Sequence, residues 1–325
     1  MTDPSQWKQL SPAFTAAVRA YDRAACVRLR NVAVRTAITT PLYHYTNRGG
    51  LEGIFAAQQF WFTHYQHLND DTEIQFGMGV AKAMLAELGL REPKLKIFCD
   101  MVIDLFSAEN MNAAFGFYIA SFSRNRDDLY QWQKYGQDGQ GFAIGLAPKL
   151  FAVEEKPYRK PHENIFVSPV SYGDAASRIL HLPVIESAAR IVAETVARKA
   201  KAMTDINKGM PFFREMANTL LARELILNSL IVKDSKWAPE REVRLFILGS
   251  GANLAPYVST RIRGTETVPF IKSDMPLRQP DSIAEIVIGP VAPPDAEDLA
   301  CALLAPFHSD PRSIIRRSTI SYHSA

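Results

Sequence analysis

The sequence predicts an α+β fold in which an antiparallel-rich sheet carries helical insertions. Strand-like segments rich in aromatic and β-branched residues occur early in the chain (42–65) and again late (240–290). Between them, about 174–232 has the apolar spacing of two long helices. Without a repeat or a long Pro, Gly or Ser linker, we expect an N-terminal helical segment over 1–40 and a single α+β domain over 41–325, with its helical insertion at about 174–232.

The first half of the chain alternates between the two kinds of element. A helix over 11–35 precedes the strand "LYHYTN", a short helix "LEGIFAAQQ" and the strand "FWFTHY". "LNDDTEIQFGMGVAKAMLAELG" predicts a helix capped by Asn69 or Asp70, and another helix is expected within 94–109. The middle of the chain then offers a strand "AFGFYIASFS", a short helix "DLYQWQKYG" and a Gly-punctuated strand "GQGFAIGLAP".

After the two insertion helices the pattern returns to strands. We expect strands at "EREVRLFIL", "YVSTRIRG", "TVPFIK", "AEIVIGP" and "STISY", with a helix "PDAEDLACALLAP" between the last two. These segments complete the sheet of the α+β domain.

Composition excludes several classes of protein. The net charge is only +3 over 325 residues, which gives no general attraction to nucleic acid or membranes. The three cysteines are widely separated, so neither a disulfide framework nor a cysteine zinc site is expected. No export signal and no apolar run of membrane-spanning length is predicted, and a cytoplasmic location fits best.

Three predicted strands carry polar side chains at positions i and i+2. Alternation places His44 and Thr46 on one face of their strand, opposite Tyr43 and Tyr45. It likewise pairs Ser121 with Ser123, and Glu240 with Glu242 and Arg244. Carboxylates at the start of an otherwise apolar strand suggest a cleft.

In this chain order, a basic residue on the first strand, a Ser-x-Ser and a late Glu-x-Glu are similar to the signature of ADP-ribosyltransferases. The resemblance implies a split, bent sheet and the use of NAD as a substrate. His44 would hold the dinucleotide together with Tyr45 and Thr46, and Ser121 and Ser123 would brace the nicotinamide site. Glu242 would engage the ribose, while Glu240 would face the acceptor. His in place of the usual Arg departs from the pattern found in enzymes that modify arginine.

A wider resemblance covers nearly the whole chain. The motifs "YHYTN", "ASFS" followed by "DLYQWQKYG", "EREVRLF", "AEIVIGP" and "STISY" resemble, in order, the uncharacterised bacterial family called domain of unknown function 2971. Together the resemblances imply ADP-ribose transfer to an unidentified macromolecule or small molecule, as a bacterial toxin or antiviral defence effector.

The residue types suit such a reaction. Breaking the bond between nicotinamide and ribose develops positive charge on the sugar, which a carboxylate such as Glu242 stabilises in a water-poor cleft. Aromatic rings can stack on nicotinamide, and Tyr130, Trp132 and Tyr135 follow the Ser-x-Ser strand. No metal is needed for this step, and we expect Trp132 or Tyr135 to border the cleft. We also expect Glu242→Gln to keep the fold.

Two other functions remain open. His64, His67, Asp70, Asp71 and Glu73 fall within ten residues, and a metal held there would suit a hydrolase or nuclease, although they lack the spacing of a single helix face. Alternatively, the fold binds a nucleotide or partner without catalysis, using the helices at about 174–232.

Overall fold

The structure is a computed structural model. It describes residues 10–35, 38–68, 74–106, 116–151, 160–163, 165–198 and 206–323. The chain divides into two compact units: a helical unit (1–35, 70–114 and 171–235) and a sheet unit (36–69, 115–170 and 236–325). The predicted insertion therefore belongs to the same unit as the N-terminal helix.

The sheet unit is built on ten strands of the described chain that form one open, bent, mostly antiparallel sheet, as the sequence predicts. Their bounds are β1 Leu42–Thr46, β2 Gln59–His64, β3 Gly116–Ser123, β4 Phe142–Leu146, β5 Ile165–Pro169, β8 Glu242–Gly249, β9 Val258–Arg263, β10 Glu266–Asp274, β11 Ile283–Ile288 and β12 Ile315–Arg317. Eight strands follow the order β12-β11-β4-β1-β3-β2-β10-β9, and β8 pairs with β3 and β5.

The sheet splits where β1 and β2 diverge from β3. Strand β3 pairs with β1 at Tyr43↔Ser123 and with β2 at Thr63↔Ile119 and His64↔Tyr118. Ser121 lies between these two regions of pairing. The other edge of β3 pairs with β8 along its full length, from Gly116↔Gly249 to Ser123↔Glu242.

One face of this sheet packs on two helices, α2 (Arg48–Ala57) and α10 (Ala296–Leu304). Helix α2 begins where the Asn47 side chain accepts a hydrogen bond from the Gly50 amide, and it ends at Gln58 in the left-handed conformation. Its buried residues Leu51 and Phe55 join a large apolar cluster that includes alternate residues of β3, β8 and β11. This continuous core fixes the register of the strands.

The opposite face carries a smaller cluster around helix α5 (Leu129–Tyr135). Asp128 caps this helix by accepting a hydrogen bond from the Gln131 amide. Trp132, which is fully buried, packs between Tyr43, Tyr45 and neighbouring strand residues. The sheet unit also contains the short helix α9 (Gly251–Leu254).

The helical unit consists of α1 Pro12–Arg35, α3 Gln75–Arg91, α4 Lys96–Leu105, α6 Asp174–Arg198, α7 Ile206–Arg214, a π-helical stretch Glu215–Leu221 and α8 Ala222–Ser229. Two short parallel strands, β6 (Ser171–Tyr172) and β7 (Val232–Lys233), belong to the same unit. Across the described residues of the chain, no helix is long and apolar enough to cross a membrane.

Three local predictions differ from the structure or fall outside it. "STISY" is wrong as a strand, because β12 ends at Arg317 and residues 318–322 run on without regular structure. Glu240 ends a 3₁₀ turn, Ser235–Glu240, rather than starting a strand. The predicted caps Asn69 and Asp70 lie outside the described residues, and the helix after them begins at Gln75.

Candidate functional site

A row of directly opposed residues crosses five strands on one face of the sheet. Glu285 on β11 opposes Gly145, Gly145 opposes Tyr43, Tyr43 opposes Ser123, and Ser123 opposes Glu242. Directly opposed residues project from the same face of a sheet. Ser121 also lies on this face, since it alternates with Phe122 in β3, and the prediction that Ser121 and Ser123 share one side of their strand is confirmed.

Glu242 is held by an ion pair. Arg244 is fully buried and donates from Nε to Glu242 Oε1 at 2.9 Å and from a terminal nitrogen to Oε2 at 3.2 Å. Only 5% of the Glu242 side chain is exposed. Both carboxylate oxygens of Glu242 are therefore occupied by a single guanidinium, a pairing that fixes its orientation.

The Glu240 carboxylate contacts helix α5. Its Oε1 accepts a hydrogen bond from the Tyr135 hydroxyl at 2.7 Å and lies 3.4 Å from Lys134 Nζ. The Lys134 ammonium lies 3.7 Å from the ring centroid of Trp237, a cation–π contact. The sequence prediction that Glu240 shares a strand face with Glu242 is wrong, because Arg241 between them has a φ of 45°, outside strand geometry.

A third carboxylate, Glu285, was missed by the sequence analysis. Its Oε1 accepts hydrogen bonds from the Tyr43 hydroxyl at 2.8 Å and from Arg126 Nε at 2.7 Å, and Arg126 also donates to Oε2 at 2.8 Å. Burial raises the pKa of Glu285, but the bonds from Arg126 and Tyr43 outweigh it and hold that pKa below its ordinary value. Glu285 is the single charge in the apolar strand β11, the same signal that drew attention to Glu242.

Gly145 makes the contact between Tyr43 and Glu285 possible. A Cβ at this position would lie 2.9 Å from Tyr43 Cε1 and 3.2 Å from Glu285 Cγ. The bare backbone of Gly145 thus leaves room for the Tyr43 ring to reach the carboxylate.

The loop 124–128 is hydrogen-bonded to strands β1 and β3, to helix α5 and to the segment that follows β12. The Tyr45 hydroxyl donates to the Asn125 carbonyl at 2.9 Å, and the Asn125 amide donates to Ser123 Oγ at 3.0 Å. Asp127 accepts from Trp132 Nε1 and from Ser318 Oγ, each at 2.7 Å. The five motifs that carry the family resemblance therefore come together around this loop.

His44 does not join these carboxylates. It lies next to Tyr43 in β1 and so projects from the other face, where its ring contacts Phe60 and Phe122 at centroid distances of 5.3 and 5.5 Å. Its Nδ1 lies 3.2 Å from the Ser121 carbonyl, which requires a hydrogen on Nδ1. The expectation that His44 and Glu242 face one cleft is wrong, because successive strand residues point to opposite sides.

Burial lowers the pKa of His44, so this ring is neutral at physiological pH. The hydrogen bond from His44 satisfies the Ser121 carbonyl. In the described strand pairings, Ser121 has no partner on the edge of β3 where β1 and β2 diverge. Thr46, on the same side, packs its hydroxyl against Gly50 in the first turn of α2.

The aromatic residues of α5 divide between core and site. Trp132 is completely buried, so of the two residues expected to border a cleft, Trp132 or Tyr135, it is Tyr135 that remains available. Tyr135 is partly exposed and reaches Glu240. Tyr45 is buried and stacks edge-on against Trp132 at 4.7 Å between ring centroids.

The proposed metal cluster is only partly described. His64 and His67 have ring centroids 6.0 Å apart, and His67 Nδ1 lies 2.6 Å from Glu266 Oε1. Asp70, Asp71 and Glu73 lie outside the described residues. Among the side chains that the structure does describe, no group of three or more His, Cys, Asp or Glu is arranged to hold a metal ion.

Comparison with known proteins bears on part of this assembly. No curated protein and no solved structure matches the chain. The matched region of a family model runs from within α5 into β8, and so includes Tyr135, Glu240 and Glu242. Residues 131–245 match the family described as a protein of unknown function, DUF2971, which confirms over this region the resemblance inferred from the motifs.

Proposed function

We propose that the chain is an NAD-dependent ADP-ribosyltransferase that binds NAD at the exposed Glu285 end of the row that runs from Glu242 through Ser123 to Glu285. The observation that carries the proposal is the row of opposed residues, which has a carboxylate at each end and hydroxyl groups between them. The split between β1 and β2 supports it, since a divided sheet is what the motif resemblance implies. A role as a toxin or defence effector rests on that resemblance alone.

Of the three carboxylates, Glu285 is the one we assign to the ribose. A carboxylate that stabilises a sugar cation must reach the substrate, and the Glu285 side chain is 16% exposed, compared with 4% for Glu240 and 5% for Glu242. Its partner Arg126 is 42% exposed, and the guanidinium N–H groups beyond the two bonded to Glu285 can donate to a phosphate group. This assignment moves the reacting carboxylate from Glu242, the sequence candidate, to Glu285.

The site supplies the carboxylate for this reaction, and the acceptor or water supplies the nucleophile. The bond between ribose C1′ and the nicotinamide nitrogen breaks, and its electron pair leaves with neutral nicotinamide. The ionised Glu285 stabilises the positive charge that develops on the ribose. A nucleophile of the acceptor, or water, then bonds to C1′ and releases a proton.

Glu240 and Tyr135 have a positioning role in this proposal. The hydroxyl of Tyr135 orients the Glu240 carboxylate, and the partly exposed ring can stack on an aromatic ligand. Glu242 has a structural role, because its side chain is only 5% exposed and its partner Arg244 is fully buried.

The direct test is release of nicotinamide from NAD, measured by liquid chromatography with and without EDTA. We expect release in both conditions, since no metal takes part. Glu285→Gln should lower the rate about 100- to 1000-fold, the usual cost of removing one preorganised electrostatic group. The matched control is Glu297→Gln in α10, which makes the same change on an exposed helix and should keep the wild-type rate.

Two outcomes would contradict the proposal. The proposed activity is contradicted if the folded wild-type protein releases no nicotinamide with any of a panel of protein, nucleic-acid and small-molecule acceptors. Equal rates in Glu285→Gln and wild type would show that Glu285 is not the carboxylate that stabilises the ribose. Glu240→Gln would then be the next variant to test.

A further inference from the structure

Aromatic and cationic side chains form a surface on β2, β10 and β9, on the face of the sheet opposite to the one that packs on α2. Trp61 opposes Lys272, and Arg261 opposes Val268, so these side chains share one face. The Trp61 side chain is 42% exposed although it is large and apolar. Its inner side stacks on Phe270, with ring centroids 4.4 Å apart and planes 26° apart.

This stacking makes Trp61 a rigid platform. Phe270 is buried, which fixes the indole from below, and the Arg261 guanidinium lies 5.3 Å from the indole centroid. Arg261 donates to Thr63 Oγ1 at 3.2 Å. An exposed ring that is already ordered loses little conformational entropy when a flat ligand stacks on it.

The cations of this face are not fully compensated. Arg261 is half-buried, and its Nε has no hydrogen-bond partner among the described residues. Burial and the charge of Arg263 both lower the pKa of Arg261. The acidic side chain next to it, Glu266, is bonded to Arg263 and His67.

Lys272 adds a second cation beside the indole, with its Nζ 6.0 Å from the centroid of the Phe270 ring on which Trp61 stacks. It lies directly across from Trp61 in the strand pairing and is exposed. The face also carries Asp274, whose carboxylate is bonded to Gln59 at 2.8 Å. Because Gln59 is neutral, Asp274 keeps its negative charge. The three cations Arg261, Arg263 and Lys272 against the two carboxylates Glu266 and Asp274 leave this face with a net charge of +1.

We propose that this face binds single-stranded nucleic acid, with one base stacked on Trp61 and the adjoining phosphates near Arg261 and Lys272. Unpaired bases have accessible faces for stacking, whereas the bases of a duplex are stacked on each other. Two cations beside an aromatic platform match a strand that carries one phosphate per nucleotide. The proposal does not depend on NAD use.

Binding is tested by fluorescence anisotropy with fluorescein-labelled 12-nucleotide dT and rU strands and with a 12-base-pair duplex. We expect both single strands to bind more tightly than the duplex. Trp61→Ala should weaken binding about 5- to 150-fold, the range for loss of one base–aromatic stack, and Trp61→Phe should restore much of it. Lys272→Gln should make the logarithmic salt dependence shallower by about 0.7, the value for one phosphate contact.

Two variants serve as controls for these changes. Ile262→Ala removes a side chain that is 72% exposed on the opposite face of β9, and Arg312→Gln removes a cation that is 68% exposed outside this face. Both should bind as wild type does. Absence of binding, preference for the duplex, or equal affinity of Trp61→Ala and wild type at matched thermal stability would overturn the proposal; a protein ligand for the Trp61 face would remain the alternative.

Discussion

The ion pair between Glu242 and Arg244 makes a prediction that opposes the one drawn from sequence. From the strand pattern alone, Glu242→Gln should leave the fold intact. In the structure, the change removes a unit of negative charge from about 3 Å away from a guanidinium that is fully buried. At an effective dielectric constant of about 20, the attraction between unit charges at this distance is about 5 kcal/mol.

We therefore expect Glu242→Gln to lower the free energy of unfolding by about 3 kcal/mol, the lower end of the 3–5 kcal/mol measured when one member of a buried pair is removed. The remaining amide oxygen of Gln still accepts one hydrogen bond, which is why the lower end applies. Urea unfolding at pH 7 and 25 °C, followed by circular dichroism, gives this value.

A double-mutant cycle with Arg244→Met separates the pair from the rest of the site. The coupling energy should be about 2–3 kcal/mol, because the two groups are in direct contact. Loss of less than about 0.5 kcal/mol in Glu242→Gln, together with negligible coupling, would show that the ion pair does not stabilise the sheet. Nicotinamide release should then be measured at a temperature where every variant is folded.

Three further changes test the packing around the site and the helical unit. Gly145→Ala should cost about 1–3 kcal/mol of stability, since its Cβ would meet Tyr43 at 2.9 Å, and a wild-type melting temperature would contradict this. Trp132→Phe should cost about 1.5–3 kcal/mol through the lost hydrogen bond to the Asp127 carboxylate, as measured by urea unfolding; an unchanged midpoint would show that this bond adds nothing. Burial lowers the pKa of His181 to about 4, so below pH 6.5 the unfolded chain binds a proton first and stability falls by about 3 kcal/mol toward pH 4. In His181→Gln this part of the pH dependence should disappear, and an unchanged pH profile of unfolding would exclude His181 as its source.

Much of the sheet was readable from the chain because strand alternation is a local property. The opposite faces of Ser121 and Phe122, and of Glu242 and Val243, follow from the period of two and from the apolar core that one face must meet. The strand of Glu285 was predicted for the same reason.

The sequence could not determine which faces of different strands coincide. His44 and Glu242 each lie on a correctly predicted strand, yet they project to opposite sides of the sheet. Ser123 opposes both Tyr43 and Glu242, so Tyr43 shares a face with Glu242, and its neighbour His44 projects from the other face. Glu240 falls outside the strand because Arg241 adopts a positive φ, which no local pattern foretells.

The sequence by itself determined the α+β class, the succession of strands along the chain and the alternation of side chains within a strand. Only the tertiary structure decided that Tyr43 and Arg126 meet at Glu285, since these two contacts join residues 242 and 159 positions apart in the chain. Register between distant strands depends on the packing of the whole core, and one residue of shift exchanges every side chain between the two faces.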